Sequence, residues 1–526
     1  MTQSRLIETM SKTDFYPHNP AEVELIETHI SYVFIAGDIV YKVKKPVKFD
    51  FLDFTSLGKR KFYCEEELRL NRRLAPDTYL DVVTISRDAQ GNITLGNGVE
   101  VIDYAVRMKK LPWDRMLKAL LVKGLVDKKI MDDLAGKIAA FHQQAQTSGH
   151  IDEMGDIENI RHNNEENFAE TINYINITIP KYQYKFIKDF AEKFLAEKKA
   201  LFKKRVANHK IRDGHGDLHL EHICIADEII IFDCIEFNER FRCGDVAEDV
   251  AFLTMDLDFN GYPQYADIFV QSYIKHSGDA DLPTLLNFYR CYYAYVRGKV
   301  TSFRLDQKEI LEDERLQITK NAAQYFDLAY TYAARLDKPA LILTAGLMGS
   351  GKSYQARKLA ARLGAEIIRT DLLRKELFNI RPTDRHYEDF GQGIYSDDIS
   401  RLIYEKAYNL AAQKIKQGKA VIIDASFKKR FERQKAMQLA QKFGVHFYIL
   451  ECTCPDEIVK NRLEKRIQEN DNASDGRWEL FQEQKNDFDA INEAAANCYF
   501  KIDTSADPEN TRQKIIRKIK LEESRV

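Results

Sequence analysis

What this 526-residue chain has little of narrows its class at once. Its eight cysteines are spread thinly and show no paired spacing, so no disulfide framework is expected. Cys452-Thr-Cys454 is spaced too tightly for ordinary zinc ligation and reads as reduced core thiols on a strand. No apolar run reaches 18 residues, and the N-terminal MTQSRLIETMSK has no apolar centre, so neither a membrane span nor a signal peptide is expected. A formal charge of −2 supplies no general basic field, which argues against nonspecific nucleic-acid binding and leaves only a local basic groove open. There is no internal repeat and no low-complexity segment. What remains, with 44% hydrophobic and 30% charged residues, is a cytosolic globular protein too long for a single core.

The plainest positive signal is Leu341–Ser353, LILTAGLMGSGKS. A short apolar strand, Leu341–Thr344, runs into the spacing G-x-x-x-x-G-K-S at Gly346–Ser353, and a helical segment, Tyr354–Leu363, follows. That context defines a phosphate-binding P-loop. Gly346, Gly349, Ser350 and Gly351 turn successive N–H groups inward, and the helix N-terminus adds partial positive charge. Lys352 is expected on the β- and γ-phosphates of ATP, and the Ser353 hydroxyl on Mg²⁺.

Before this motif the chain divides into a β-rich start and a helical continuation. ETHISYVFIAG (Glu27–Gly37) and DIVYKVKKPV (Asp38–Val47) predict a hairpin turning at Gly37-Asp38. An amphipathic stretch, Leu57–Leu74, and two strands near Leu80–Ser86 and Glu100–Lys109 follow, bracketing a turn at Asp88–Gly98. Helical periodicity (Leu134, Ile138, Phe141) begins after Pro112. It is interrupted by a strand–loop–strand segment, Ile211–Phe237, and resumes to about Arg335 with aromatics such as FYRCYYAYV that suit a core. The turn Leu336–Pro339 marks the expected boundary between domains.

Within Ile211–Phe237, Asp217 lies in a loop between short strands, and Asp233 ends an apolar run sixteen residues later. Two carboxylates so placed suit phosphoryl transfer, one taking the acceptor's proton and one holding metal. His215-Gly216-Asp217 and Ile231-Phe232-Asp233 resemble the catalytic and metal loops of the aminoglycoside phosphotransferase and choline kinase-like families, relatives of protein kinases. That resemblance implies Asp217 as base, Asp233 as metal ligand and Asp245 as the buried brace of the catalytic loop. It implies Lys42 as the phosphate-contacting lysine and Glu67 as its helix partner, with Glu65 and Glu66 as rivals. The chain departs from the pattern at His222, where the family has a metal-binding Asn. An imidazole is a poor ligand for Mg²⁺ and tolerates Mn²⁺ better, so the expectation is a weaker, manganese-favoured site, one that uses another group such as Glu221, or no catalysis. His215, His219 and His222 do not have a standard zinc spacing, and no zinc site is expected from them.

After the P-loop, βα units continue. EIIRT (Glu366–Thr370) ends at Asp371 with Arg374 one turn on, Ala420–Ile423 ends at Asp424, and HFYILEC (His446–Cys452) is a fourth strand. Asp424 is the natural second Mg²⁺ carboxylate, and Asp456–Asp489 reads as a charged helix pair broken at NDNASDG. Gly346–Ser353, TDLLRKEL and IIDASFKKR resemble the kinase family of polynucleotide kinase, gluconate kinase and the zeta toxins. The resemblance implies Asp371 on the acceptor hydroxyl, Arg374 on an acceptor anion, and Arg462 and Arg466 as lid arginines. A helix cap at Asp371, and i,i+4 pairing of the arginines with Glu464 or Glu469, are the competing readings. Lys428, Lys429, Arg430 and Arg433 line an acidic substrate's path or merely solvate a helix.

Over nearly its full length the chain resembles the bacterial tandem family of bifunctional aminoglycoside phosphotransferase/ATP-binding proteins. The expected architecture is an α+β bilobal protein-kinase-like domain at 1–335, with a small lobe to about 110, followed by an α/β P-loop kinase domain at 336–526 with a lid at about 456–489. The expected activity is ATP-dependent phosphoryl transfer to a small metabolite, a nucleotide or a nucleic-acid end. Two other readings stand beside it: a first domain that serves only as a sensor, and, more weakly, antibiotic resistance.

Overall fold

The computed structural model describes residues 3–49, 51–96, 98–307, 310–384, 386–468, 475–506 and 508–523. The chain divides into two compact units, Met1–Ala333 and Ala334–Val526.

The first unit begins with a six-stranded antiparallel sheet built from β1 (Val23–Glu27), β2 (Ser31–Ala36), β3 (Ile39–Lys44), β4 (Tyr79–Arg87), β5 (Ile93–Leu95) and β6 (Glu100–Lys109), in the order β1-β2-β3-β6-β4-β5. The predicted hairpin is β2–β3, and its turn residue Gly37 sits at φ +63°, which favours glycine. The expected turn at Asp88–Gly98 carries the extra short strand β5, and β1 pairs along the open edge of β2. Alternation along β3 sends Lys42 and Lys44 to one face, toward the helix Leu57–Asn71. That helix starts at an Ser56 N-cap, whose hydroxyl accepts from Lys59 N–H, and buries Cys64, Glu67 and Leu70.

Helices form the remainder of this unit around one large core that includes Leu134, Ile138, Phe252, Tyr289 and Phe326. The aromatic-rich helix Leu282–Phe303 buries Phe288, Tyr289, Tyr293 and Tyr295 there, as its periodicity predicts. Two small two-stranded ribbons interrupt the helices. One pairs β7 (Ile211–Asp213) with β10 (Cys243–Asp245), and the other pairs β8 (Ile223–Ile225) with β9 (Ile229–Ile231). They hold the catalytic-type loop between β7 and β8 and the metal-type loop after β9.

The second unit is a five-stranded parallel sheet of β11 (Ala340–Ala345), β12 (Glu366–Arg369), β13 (Val421–Asp424), β14 (His446–Thr453) and β15 (Tyr499–Asp503), in the order β12-β13-β11-β14-β15. Its central strands are buried on both faces and therefore read as continuous apolar runs. The edge strand β15 escapes that signal because its burial alternates. The anticipated helix pair is one helix, Asp456–Gln468, and, beyond the break, a short turn and a helix of only six residues, Phe481–Asn486. Most of the NDNASDG break, with Glu469 before it, lies outside the described residues. Among the described residues no helix is long and apolar enough to cross a membrane.

Candidate active sites

In the first unit, the loops and the β3 lysines converge. Lys42 Nζ lies 2.9 Å from Glu67 Oε1 and 2.6 Å from Asp233 Oδ1. Glu67 is fully buried, whereas Glu65 pairs with Lys61 and Glu66 with Arg69 on the outer face, so position 67 alone faces the lysines. Sequence reading missed Lys44 and Glu236. Lys44 Nζ donates to Glu67 Oε2 at 2.7 Å and to Glu236, and both residues are buried. The signal was present in the alternation of Y-K-V-K, which puts both lysines on one face of β3.

Asp233 adopts φ +63°, a conformation uncommon outside glycine. Burial pushes its carboxyl up, and Lys42 followed by His222 more than reverse this, holding it below the usual carboxylate range. Asp217 behaves alike: burial raises it, and His219 and His222 bring it down. Its Oδ2 lies 3.6 Å from His219 Nε2 and 3.5 Å from His222 Nδ1, and His222 Nε2 lies 3.4 Å from Asp233 Oδ2. Burial, with His219 beside it, lowers the His222 imidazole, which stands between the two carboxylates. His215 belongs to the frame instead: its Nε2 donates to Phe232 O at 3.0 Å and ties the two loops together.

One expectation is corrected. The buried acid that braces the His215–Asp217 loop is Asp249, not Asp245. Asp249 accepts from His215 N–H at 2.8 Å and Gly216 N–H at 2.9 Å, and from His142 Nε2 at 3.1 Å. Asp245 instead N-caps the helix Val246–Phe259 in a capping box with Glu248. It also receives the buried Arg205 guanidinium at 2.8 and 2.6 Å. The D-x-x-E spacing of Asp245 and Glu248 identifies a cap, and Asp249, four residues after Asp245, is then the acid free to face the loop.

In the second unit the residues gather at the carboxyl ends of β11, β12 and β13, where open parallel sheets bind ligands. A cavity of about 660 Å³ is lined there by Gly349, Gly351, Lys352, Ser353, Asp371, Arg374, Asp424 and Arg466 among others. Gly346 has φ +132°, and a Cβ there would come within 2.4 Å of Cys452 O; Gly351, at φ +85°, opens the helix Lys352–Leu363. Lys352 Nζ donates to Leu347 O at 2.8 Å, and burial lowers its ammonium against the pull of Asp424. Asp424 accepts from Thr344 Oγ1 at 3.2 Å and from Arg369 Nε at 3.3 Å. Burial, with the charge of Asp424 added, pushes the Asp371 carboxyl up, which suits a group that accepts a proton. Asp371 lies inside the helix Thr370–Leu377, whose N-cap is Arg369, so it does not stand at the cap position.

Arg374 is buried beside the cavity. Its guanidinium stacks over Tyr395 at 4.8 Å and donates to Ile394 O, while Nε has no hydrogen-bond partner among the described residues. Arg466 lines the cavity, but Arg462 does not. Arg462 donates to Thr504 Oγ1 at 2.9 Å and Thr504 O at 2.6 Å, and Thr504 donates in turn to Ser350 O, so it supports the P-loop from behind. Glu464, a partner in the competing reading, lies 4.0 Å from Lys460. The basic cluster is largely occupied: Lys428 and Lys429 pair with Asp487, and Arg433 is fully buried against Glu493. Sequence reading also missed Arg369 and Gln484, whose Oε1 accepts from Met348 N–H of the P-loop at 2.6 Å. Arg369 was open to inference as the last residue of a parallel strand; Gln484 lies far along the chain and carried no signal.

Comparison with known proteins agrees with both halves. A model described as the phosphotransferase enzyme family matches residues 123–285, and one described as an AAA domain matches residues 341–491. Uncharacterized proteins of Mycobacterium tuberculosis and Mycobacterium bovis are 30% identical over 455 residues, covering 86% of this chain and 88% of theirs. Among solved structures, a choline/ethanolamine kinase family protein of Mesorhizobium loti is similar over 62% of this chain and 99% of its own, at 11% identity and TM-score 0.35. A gluconokinase of Sinorhizobium meliloti is similar over 36% of this chain and 94% of its own, at 18% identity and TM-score 0.26. The chain belongs to the family of the two mycobacterial proteins, and in it a phosphotransferase-family domain precedes a P-loop kinase domain. It is a kinase-type phosphotransferase.

Proposed function

We propose that the C-terminal unit transfers the γ-phosphoryl group of ATP to a hydroxyl of a small metabolite, a nucleotide or a nucleic-acid end. The observation that carries this reading is the single cavity shared by Lys352, Ser353, Asp424, Asp371 and Arg374. Lys352 neutralises the β- and γ-phosphates. Arg374, whose Nε has no partner among the described residues, holds an anionic part of the acceptor. Asp371 takes the hydroxyl proton as that oxygen attacks the γ-phosphorus and the bond to the ADP oxygen breaks. Arg466 offsets charge on the transferred group. Ser353 and Asp424 offer only oxygen atoms, which fit Mg²⁺. When bound, that ion supplies charge neutralisation along the phosphates.

The N-terminal unit is proposed as a second kinase-like site, with Lys42 held by Glu67 for the phosphates, Asp217 as base, and Asp233 with His222 for a divalent cation. The imidazole beside one carboxylate fits Mn²⁺ better than Mg²⁺. A sensor reading draws support from Lys42 itself, whose ammonium already rests on Asp233 at 2.6 Å. The described cysteines are all free thiols, which suits a reducing compartment such as the cytosol.

Two substitutions test the C-terminal roles. Asp424→Asn is expected to lower metal-dependent turnover about a hundredfold with any acceptor. Asp371→Asn is expected to suppress transfer by a similar factor while leaving nucleotide affinity within about twofold. Equal loss of nucleotide affinity in both variants would make Asp371 a structural residue. In the N-terminal unit, His222→Asn is expected to strengthen magnesium-dependent nucleotide binding and remove the preference for manganese. Titration of the Lys352→Ala chain with either ion and a fluorescent ATP analogue reads this directly. Unchanged affinities for both would sink the assignment of His222 to the metal.

A further inference from the structure

The catalytic loop holds more metal-binding capacity than a kinase needs. Asp217, His219 and His222 each offer one ligand atom, and the three lie within 4.8 Å of one another. Bonds of about 2.0–2.2 Å to a tetrahedral ion require ligand atoms roughly 3.4 Å apart. The separations from Asp217 Oδ2, 3.6 Å to His219 Nε2 and 3.5 Å to His222 Nδ1, are already close to that value. Two imidazoles and one carboxylate select a borderline ion such as Zn²⁺ over Mg²⁺, whose preference is for oxygen. The chain spacing gave no hint of this, because the loop and its 3₁₀ turn, Leu220–His222, bring together residues that a strand or helix would separate.

We infer that Asp217, His219 and His222 form a regulatory site for a zinc-class cation, which silences the N-terminal unit by occupying its base. The regulatory part rests on the reading of Asp217 as that base. Ligation by His222 Nδ1 releases its contact with Asp217 O and leaves the ring proton on Nε2, which faces Asp233 Oδ2 at 3.4 Å. A carboxylate–histidine–metal chain results, of the kind that orients ligands at zinc sites. Both acids needed for phosphoryl transfer are then engaged, Asp217 on the ion and Asp233 on the imidazole. Ligation by His219 Nε2 leaves its proton on Nδ1, so the long 3.3 Å contact from Glu221 N–H opens to solvent at an exposed residue. The fourth position of the ion is left to water.

Cobalt(II) serves as the visible probe, titrated into the full chain. The expected result is one equivalent bound with the absorption bands of a tetrahedral site, displaced by zinc. His219→Asn keeps a side chain able to accept from Glu221 N–H and so protects the fold, but it removes a ligand. It is expected to abolish the bands and weaken zinc binding at least tenfold. In a Lys352→Ala chain, zinc is expected to weaken binding of the manganese complex of a fluorescent ATP analogue at least tenfold, and to lose that effect when His219→Asn is added. Bands that persist in His219→Asn, or a parent chain without them, overturn the metal site itself. Bound zinc without effect on nucleotide affinity overturns the regulatory role. A Lys352→Ala chain that binds no nucleotide with or without zinc overturns the N-terminal kinase reading and the regulation with it, while the cobalt result still decides the site.

Discussion

Lys352→Ala is expected to lower ATP turnover by the C-terminal unit by about two to three orders of magnitude, the loss seen when a preorganised charge contact to the reacting group is removed. The half-buried ammonium at the mouth of the helix Lys352–Leu363 is held on Leu347 O at 2.8 Å, so it is poised to exchange that carbonyl for phosphate oxygens. Two nearby guanidiniums are engaged elsewhere. Arg369 is committed to Asp424, and Arg462 to Thr504 behind the loop. Alanine at this position keeps the helix, so circular dichroism should stay unchanged while turnover falls. Turnover at the parental rate would remove the P-loop from the mechanism.

Arg205→Met is expected to destabilise the N-terminal unit by about 3–5 kcal/mol, measured as a shift of its denaturant midpoint at constant slope. Arg205 is 1% exposed and bridges Asp245 and Asp279, each also buried. Removing the guanidinium leaves Asp245 without its ion pair and Asp279 with only Lys210 at 3.8 Å, and the cost of burying these carboxylates exceeds the lost hydrogen bonds. Asp245 also caps the Val246–Phe259 helix from which Asp249 reaches the catalytic loop, so nucleotide binding at this unit should weaken in parallel. Adding Asp245→Asn and Asp279→Asn should recover part of the stability, because neutral amides cost less to bury. A loss below about 1 kcal/mol in the single variant would show that the acids reach water.

Particular residues show where reading from sequence ends. The P-loop was legible because its function is local: strand, glycines, lysine and helix are consecutive, and their geometry follows from backbone rules. Asp217 and Asp233 stood out by their placement in a strand–loop–strand segment, but their separate roles, and the choice of Lys42, came only through resemblance, since each sits in a short motif whose neighbours in space are elsewhere in the chain. Asp245 and Asp249 show the limit most clearly. They lie four residues apart in one acidic run; the D-x-x-E spacing marks Asp245 as a cap, but no local pattern shows that Asp249 meets the His215–Gly216 backbone. That placement is made by the pairing of β7 with β10 and by Arg205, which reaches Asp245 from forty residues away.

By itself the amino-acid sequence determined the alternation that makes the six-stranded sheet, the apolar runs that make the parallel one, the phosphate loop, and the two-part order of the chain. These depend on side-chain period and on steric rules acting over a few residues. Tertiary structure alone decided that Glu67 rather than its neighbours meets the lysines, that Arg462 supports the P-loop while Arg466 lines the cavity, and that Asp217, His219 and His222 share one point in space. Each of those outcomes depends on which way a side chain is turned when distant segments pack, and packing sums interactions that no local window contains.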